Sequence, residues 1–238
     1  MTQARTLILI PGLVCDAAVW APQVRGLADL ARAKIADHGA LDSLGAMAEA
    51  ILASAPARFA VAGHSMGGRV AFELIRSAPE RVEALAILDS GTAPLAAGEA
   101  GAKEAAGRWR LAEIARRAGM RAMAEEWVKI MVHPARAAER ALIDGILDMF
   151  ERKSPDIYEA QIRALLTRPD ARPLLPKIAC PTLVLCGRED AWSTPAIHEE
   201  MAAGISACHL VVVPECGHMS TLERPEAVTA ALREWLGG

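Results

Sequence analysis

A serine flanked by glycines is the feature of this sequence with the clearest capacity for chemistry. Residues 63–68 read Gly-His-Ser-Met-Gly-Gly, which places Ser65 at the centre of a GxSxG pattern. The apolar run Phe59–Ala62 precedes this pattern, and a helical pattern follows it. A sharp turn from a strand into a helix strains the residue at its apex and leaves little room for flanking side chains. The context therefore predicts Ser65 as a nucleophile held clear of a sheet.

A hydroxyl nucleophile needs a base that accepts its proton near neutral pH, and histidine is suited to that role. Of the six histidines, His218 follows the last predicted strand and precedes the final predicted helix. It therefore lies at the carboxyl ends of the strands, the same edge of the sheet as Ser65. We expect it to be the general base. His64 is adjacent to Ser65 but should point elsewhere on a tight turn, so we expect it to pack beneath the turn. Three of the other histidines lie on a predicted loop, helix or strand start, namely His38, His198 and His209, and His133 lies in a helical region discussed below.

An acid that orients the base is expected on another loop at the same sheet edge. Asp190 follows the predicted strand Thr182–Cys186 and is our choice for accepting a hydrogen bond from His218. Glu189, one residue earlier, and Asp89, which follows a different strand, remain alternatives. The chain order of serine, aspartate and histidine is the one that accompanies GxSxG in strand–turn–helix folds.

Negative charge that develops on a substrate oxygen also needs donors. Residues 7–13 are predicted as a strand that runs into a loop, and the main-chain N–H of Leu13 follows the glycine of that loop. We predict an oxyanion hole formed by the N–H groups of Leu13 and Met66, each contributing roughly 3 to 4 kcal/mol of transition-state stabilisation. The alternative is a simple turn at the end of a strand.

The elements that must position these residues alternate between short β-branched runs and longer stretches of helical period. This pattern is typical of a parallel sheet with crossover helices, an α/β fold. Helices are expected from Met66 to about Ala78 and from Pro225 to Gly237. The predicted strands are Thr6–Ile10, Ala33–Asp37, Phe59–Ala62, Ala84–Leu88, Thr182–Cys186 and His209–Val213.

Strand patterns are absent from the middle of the sequence, where four helical stretches are predicted instead. We interpret residues 92–178 as a helical cap inserted into a core domain formed by residues 1–91 and 179–238. A separate helical domain is the alternative. Within the cap, we predict that Trp127, Met131 and His133 contact substrate, and other large apolar residues could line the same pocket: Trp109, Met123 and Phe150.

Composition restricts the possible partners. A formal net charge of -3 gives no basic excess for binding nucleic acid. Charges interrupt every apolar run before the roughly 18 residues needed to span a bilayer, so we expect no membrane span. Five cysteines without paired spacing favour a reducing cytoplasm over a disulfide framework or zinc site. We expect no metal or organic cofactor, a small ester-like substrate, and a monomer or homodimer.

Taken together, these motifs resemble the α/β-hydrolase superfamily over nearly the whole chain, and most closely its small, capped esterase and lactonase-like members. The resemblance is carried by residues 11–13, 63–68, 187–190 and 217–226. It implies the fold of that superfamily, a triad of Ser65, Asp190 and His218, an acyl-enzyme, and a substrate pocket between cap and sheet.

The sequence departs from the superfamily pattern in two loops. Pro11-Gly12 stands where many relatives have His-Gly, and residues 37–40 replace an Arg-Gly-x-Gly type of stretch. We also expect one or two edge strands common in the superfamily to be missing.

The predicted activity is hydrolysis of a carboxylic ester, thioester or lactone with a small to medium apolar substrate. A C–C hydrolase or lyase could use the same triad, a cofactor-free haloperoxidase activity could accompany it, and a non-catalytic receptor on the same fold could retain it. Turnover of simple esters would favour the esterase, whereas tight ligand binding without turnover would identify a receptor.

Overall fold

Six strands form one parallel sheet in the computed structural model, which describes residues 5–237. The sheet order is β2-β1-β3-β4-β5-β6. Because all neighbouring strands are parallel, their carboxyl ends lie along one edge of the sheet. The strands are β1 (Arg5–Ile10), β2 (Ala31–Ile35), β3 (Phe59–His64), β4 (Val82–Leu88), β5 (Thr182–Gly187) and β6 (Cys208–Val213).

The interior strands are buried along their length, which explains their continuous apolar sequences. Every residue of β3 and β5 is buried, as expected for parallel strands covered by helices on both faces. The outer strand β2 instead alternates buried or half-buried residues with the exposed residues Arg32 and Lys34.

The predicted bounds of β2 are wrong by two residues at both ends. The strand pairs on one side only, with Arg5 opposite Ala31 and Leu9 opposite Ile35. It ends at Ile35, opposite Leu9, and the Ala36 N–H donates a last hydrogen bond to the Leu9 carbonyl oxygen at 2.9 Å. Pairing with β1 therefore sets the bounds of β2, and this register could not be read from its own residues.

Helices flank the sheet, and four of them form an insertion between β4 and β5. The helix after Ser65 is Met66–Ser77 and the final one is Pro225–Gly237, in agreement with the sequence within one residue. Within residues 5–237, no helix is both long enough and apolar enough to cross a membrane. The helices are α1 (Ala21–Gly26), α2 (Leu44–Ser54), α3 (Met66–Ser77), α4 (Gly98–Ala118), α5 (Met120–Trp127), α6 (Arg140–Glu151), α7 (Pro155–Leu166), α8 (Pro195–Ala203), α9 (Ser220–Glu223) and α10 (Pro225–Gly237).

We refer to residues 98–166, which contain α4 to α7, as the insertion. Its helices pack on one another and on the core through buried side chains such as Met123, Phe150 and Tyr158. The chain enters and leaves it at neighbouring points, because the Ala171 N–H donates to the Thr92 carbonyl oxygen at 2.9 Å. The domain limits of 92 and 178 stay a prediction, and the four helices lie within them.

Candidate active site

Ser65 occupies a strained turn between β3 and α3. Its φ of 53° lies in the left-handed region that non-glycine residues rarely adopt. A Cβ at Gly63 would overlap the backbone of Gly67, and a Cβ at Gly67 would overlap the carbonyl of Ile10. Glycine is therefore required at both positions for the turn to close, and the hydroxyl of Ser65 is directed into a cavity.

His218 lies between the hydroxyl of Ser65 and the carboxylate of Asp190. The His218 Nε2 is 2.8 Å from Ser65 Oγ, and its Nδ1 is 2.8 Å from Asp190 Oδ2. An ionised carboxylate can only accept, so Nδ1 carries the proton and Nε2 is left to accept the hydroxyl proton of Ser65. Both His218 and Asp190 are buried. The structure thus brings together the three residues for which the sequence predicts catalytic roles.

Asp190 is held as a carboxylate by its neighbours. Its second oxygen accepts hydrogen bonds from the N–H groups of Trp192 at 2.8 Å and Ser193 at 2.9 Å. Burial alone would raise the pKa of Asp190, but the charge and hydrogen bond of His218, with the two N–H donors, lower it below its usual value. Burial alone would lower the pKa of His218, but the carboxylate of Asp190, followed by Asp89 and Glu223, raises it overall.

The two alternative acids bond to other groups. Asp89 is fully buried and accepts from the Ser220 hydroxyl and, at 3.0 Å, from the Gly187 N–H. Burial, and then the nearby charge of Asp190, raise the pKa of Asp89 well above its usual value. Glu189 accepts from the Cys216 N–H at 3.0 Å. Within residues 5–237, neither carboxylate hydrogen-bonds to the imidazole of His218.

Ser220 is a second serine close to His218 in sequence, but its hydroxyl is directed toward Asp89. Ser220 is fully buried and does not line the cavity. The hydroxyl that reaches His218 Nε2 and also borders the cavity is that of Ser65.

His64 packs beneath the turn. Its Nε2 is 2.8 Å from the carbonyl oxygen of His218, so Nε2 must carry a proton and donate it. Burial lowers the pKa of His64 to about 4, with the His218 charge acting in the same direction. A neutral His64 therefore supports the backbone of the residue predicted to act as the base.

Leu13 and Met66, whose N–H groups are predicted to form the oxyanion hole, both border the cavity that contains Ser65. Within residues 5–237 neither amide has a hydrogen-bond acceptor. The next residue, Val14, has a φ of 51° and donates its N–H to Gln161 Oε1 at 2.8 Å. Gln161 also donates to the Gly39 carbonyl oxygen at 3.0 Å. The insertion thus fixes the conformation of the loop that carries Leu13.

Sequence reasoning missed Gln161, Trp192 and Glu223 as residues that support this site. The carboxylate of Glu223 accepts from the N–H groups on either side of His218, those of Gly217 and Met219. Gln161 is a polar residue on the otherwise apolar face of α7, and that break in the pattern was the available signal. Trp192 contacts His218 edge-on with ring centroids 4.9 Å apart, and it stacks on Trp127 at 5.6 Å. Spacing along the chain gives no indication of either aromatic contact.

The cavity beside Ser65 has a volume of about 550 Å³. Trp127 and Met131 line it, whereas His133 does not. The ring of His133 instead accepts from the Ala135 N–H at 3.1 Å and lies near Glu189, because the chain turns away at Pro134. The suggested lining residues Trp109, Met123 and Phe150 are also absent from it. One wall is instead strongly charged and comprises Arg69, Lys103, Glu104, Arg108, Arg110 and Arg168.

In the described part of the chain, no three His, Cys, Asp or Glu side chains are arranged to hold a metal ion. The five cysteines are free thiols, and burial raises the pKa of several of them, Cys186 to about 12.

Comparison with known proteins agrees with this architecture. A structure of a thermophilic esterase from Thermogutta terrifontis, with malate bound, superposes with a TM-score of 0.85 at 30% identity and covers 98% of this chain and 91% of that one. An enol-lactonase from Burkholderia xenovorans gives a TM-score of 0.85 at 25% identity, covering 99% and 92%. A pimeloyl-[acyl-carrier protein] methyl ester esterase of Nitrosomonas europaea is 27% identical over 92% of this chain and 91% of its own. The alpha/beta hydrolase family profile matches residues 7–231. The chain therefore belongs to the alpha/beta hydrolase family.

Proposed function

We propose that this protein hydrolyses carboxylic esters, including thioesters or lactones, through an acyl-enzyme formed on Ser65. The observation that carries the proposal is the position of the His218 imidazole, with one nitrogen 2.8 Å from Ser65 Oγ and the other 2.8 Å from Asp190. The chain is a hydrolase of the α/β fold, and its relatives include esterases. The methyl ester esterase, the thermophilic esterase and the enol-lactonase among these relatives support the same reaction class here.

In the first half of the reaction, Ser65 Oγ attacks the carbonyl carbon while its proton passes to His218 Nε2. The N–H groups of Leu13 and Met66 hold the negative oxygen of the tetrahedral intermediate. The bond from carbonyl carbon to alcohol oxygen then breaks, and His218 returns the proton to the departing alcohol. Asp190 stays ionised and stabilises the imidazolium in between.

In the second half, water replaces the alcohol. The water molecule gives a proton to His218 as the water oxygen attacks the acyl carbon. The bond between the acyl carbon and Ser65 Oγ then breaks, and Ser65 Oγ takes the proton back from His218. The products are the free acid and the unmodified enzyme. The apolar wall of the cavity, which includes Leu13, Trp127 and Trp192, suits the hydrocarbon part of a small to medium substrate.

The test is labelling with a fluorophosphonate probe, combined with hydrolysis of p-nitrophenyl esters of increasing acyl length. We expect Ser65→Ala to abolish labelling and to reduce kcat by roughly a thousandfold or more. Ser220→Ala is the matched control, because it removes a buried hydroxyl that bonds to Asp89 near the same histidine. Labelling that persists in Ser65→Ala and disappears in Ser220→Ala would reject the proposal. Labelling at Ser65 without turnover of any ester would favour C–C bond hydrolysis or a lyase.

A further inference from the structure

One wall of the cavity carries more positive charge than its acidic groups can balance. Five lysine or arginine residues line the cavity, against the two acidic residues Glu104 and Asp89, although the chain as a whole has a formal net charge of -3. The cationic wall is contributed by the first turns of α3, by α4 and by the segment just after α7. This distribution is local to the cavity and is not a property of the overall composition.

Most of these cations are paired within the protein. Arg168 forms a two-point contact with Glu104, with both N···O distances at 2.8 Å, and Arg108 contacts the same carboxylate at 2.9 Å. Arg110 pairs with Glu126 at 2.7 Å. One glutamate thus serves two guanidinium groups, which leaves an excess of positive charge beside it.

Arg69 has no carboxylate partner within residues 5–237. Its Nη1 donates to the carbonyl oxygen of Ala93 at 2.9 Å, and Arg168 Nε donates to the same oxygen at 3.3 Å. Loss of water contact, with the charges of Arg168 and Arg108, lowers the pKa of Arg69 to about 9. The group therefore remains cationic at neutral pH and is poorly compensated by the protein.

Arg69 is placed to reach a substrate bound at Ser65. It lies in the first turn of α3, the helix that begins directly after Ser65. Both residues line the same cavity. A guanidinium has five N–H donors in a planar fork, and the protein uses one of them here, so the others are available to a ligand.

We propose that the substrate carries a carboxylate in addition to its ester, and that Arg69 binds this carboxylate. The inference rests on the proposed ester hydrolysis and specifies its substrate class. A carboxylate matches the guanidinium in planarity and in charge, whereas a phosphate dianion would bring a second negative charge. The ester then reaches Ser65 while the intervening hydrocarbon lies against the apolar wall formed in part by Trp127 and Trp192.

The experiment compares mono-p-nitrophenyl esters of glutaric and adipic acid with p-nitrophenyl pentanoate and hexanoate. In the native protein we expect kcat/KM to be higher for the anionic ester of each pair. Arg69→Gln should reduce this anionic-to-neutral ratio of kcat/KM by roughly 10- to 100-fold, mainly through KM. Loss of one charge-assisted hydrogen bond commonly weakens binding by about that factor. Arg69→Lys should recover part of the ratio.

Arg117→Gln is the charge-matched control, because Arg117 is a highly exposed arginine on α4 outside the cavity lining. It should leave the ratio unchanged. An equal loss of the ratio in Arg117→Gln, or an unchanged ratio in Arg69→Gln, would overturn the assignment of Arg69.

Inhibition of the native protein provides a test that does not depend on the folding of any variant. Glutarate should inhibit hydrolysis of the neutral ester competitively and more strongly than inorganic phosphate or glutaramide. Stronger inhibition by phosphate, or a native ratio of one or less, would overturn the carboxylate proposal. Ser65-dependent hydrolysis of neutral esters would in that case leave the proposed ester hydrolysis standing, so the two failures are distinguishable.

Discussion

The main-chain N–H of His218 donates to the carbonyl oxygen of Met131 over 2.7 Å, which bonds the loop of the imidazole directly to the insertion. Glu223 reinforces this connection. One of its carboxylate oxygens accepts from the N–H groups of Gly217 and Met219, each at 3.1 Å, and the other accepts from the His133 N–H at 2.7 Å. A single buried carboxylate thus holds both the loop before α9 and the segment of the insertion that faces it.

Glu223→Gln tests this connection. Glutamine offers one acceptor oxygen where the carboxylate offers two, so at least one buried N–H would lose its partner. We expect a loss of about 1 to 3 kcal/mol in the free energy of unfolding, together with a fall in kcat as His218 becomes less well positioned. Chemical denaturation and steady-state kinetics measure the two effects. Glu226→Gln, an exposed change in the first turn of α10, should affect both much less, and equal effects would contradict the role of Glu223.

The pH dependence of kcat/KM should report the protonation of His218. The base acts in its neutral form, so the rate should rise as pH increases through the pKa of His218, which lies above its usual value of 6.5. Asp190→Asn removes the main group that raises this pKa. The midpoint should therefore move to lower pH, and kcat should fall roughly 10³- to 10⁴-fold. A midpoint that moves upward in this variant would show that another group controls the profile.

Gln161 should control the loop that carries Leu13. In Gln161→Met the Val14 N–H loses its acceptor, and the strained loop is free to shift the Leu13 N–H away from the developing oxyanion. We expect kcat to fall roughly 10- to 100-fold, less than the loss of a complete oxyanion donor, with a smaller change in KM. Gln161→Glu keeps an acceptor for Val14 but cannot donate to the Gly39 carbonyl oxygen, so it should also lose part of the activity. An unchanged kcat in Gln161→Met would contradict this role of the Val14 hydrogen bond.

The turn at Ser65 should tolerate no side chain at residue 67. A Cβ there would overlap the carbonyl groups of Ile10 and Pro11, so Gly67→Ala must displace either α3 or the Leu13 loop. We expect this variant to be destabilised by about 1 to 3 kcal/mol and to lose activity. Gly145→Ala in α6 is the control, since nothing lies within 4 Å of its added Cβ, and it should gain up to about 1 kcal/mol from helix propensity. Thermal unfolding of the two variants gives the comparison.

Local sequence was sufficient to identify the strands and the turn at Ser65, because these depend on short-range properties. A buried parallel strand needs a run of apolar residues, and a strained strand-to-helix turn needs glycines beside its apex. The prediction of His218 and Asp190 on loops at one sheet edge followed from the position of each residue just after a predicted parallel strand, since the carboxyl ends of parallel strands meet there. The bounds of β2 were misplaced because its register depends on β1.

Only the tertiary structure decided what surrounds these residues. Gln161 lies 147 residues from the loop it supports, and the cationic wall combines Arg69 with Arg108 and Arg168, which lie far from it along the chain. His133 was expected at the cavity, but the chain turns away at Pro134 and directs its ring toward Glu189. Local periodicity determines which face of an element is buried, whereas the groups opposite that face depend on how distant helices pack.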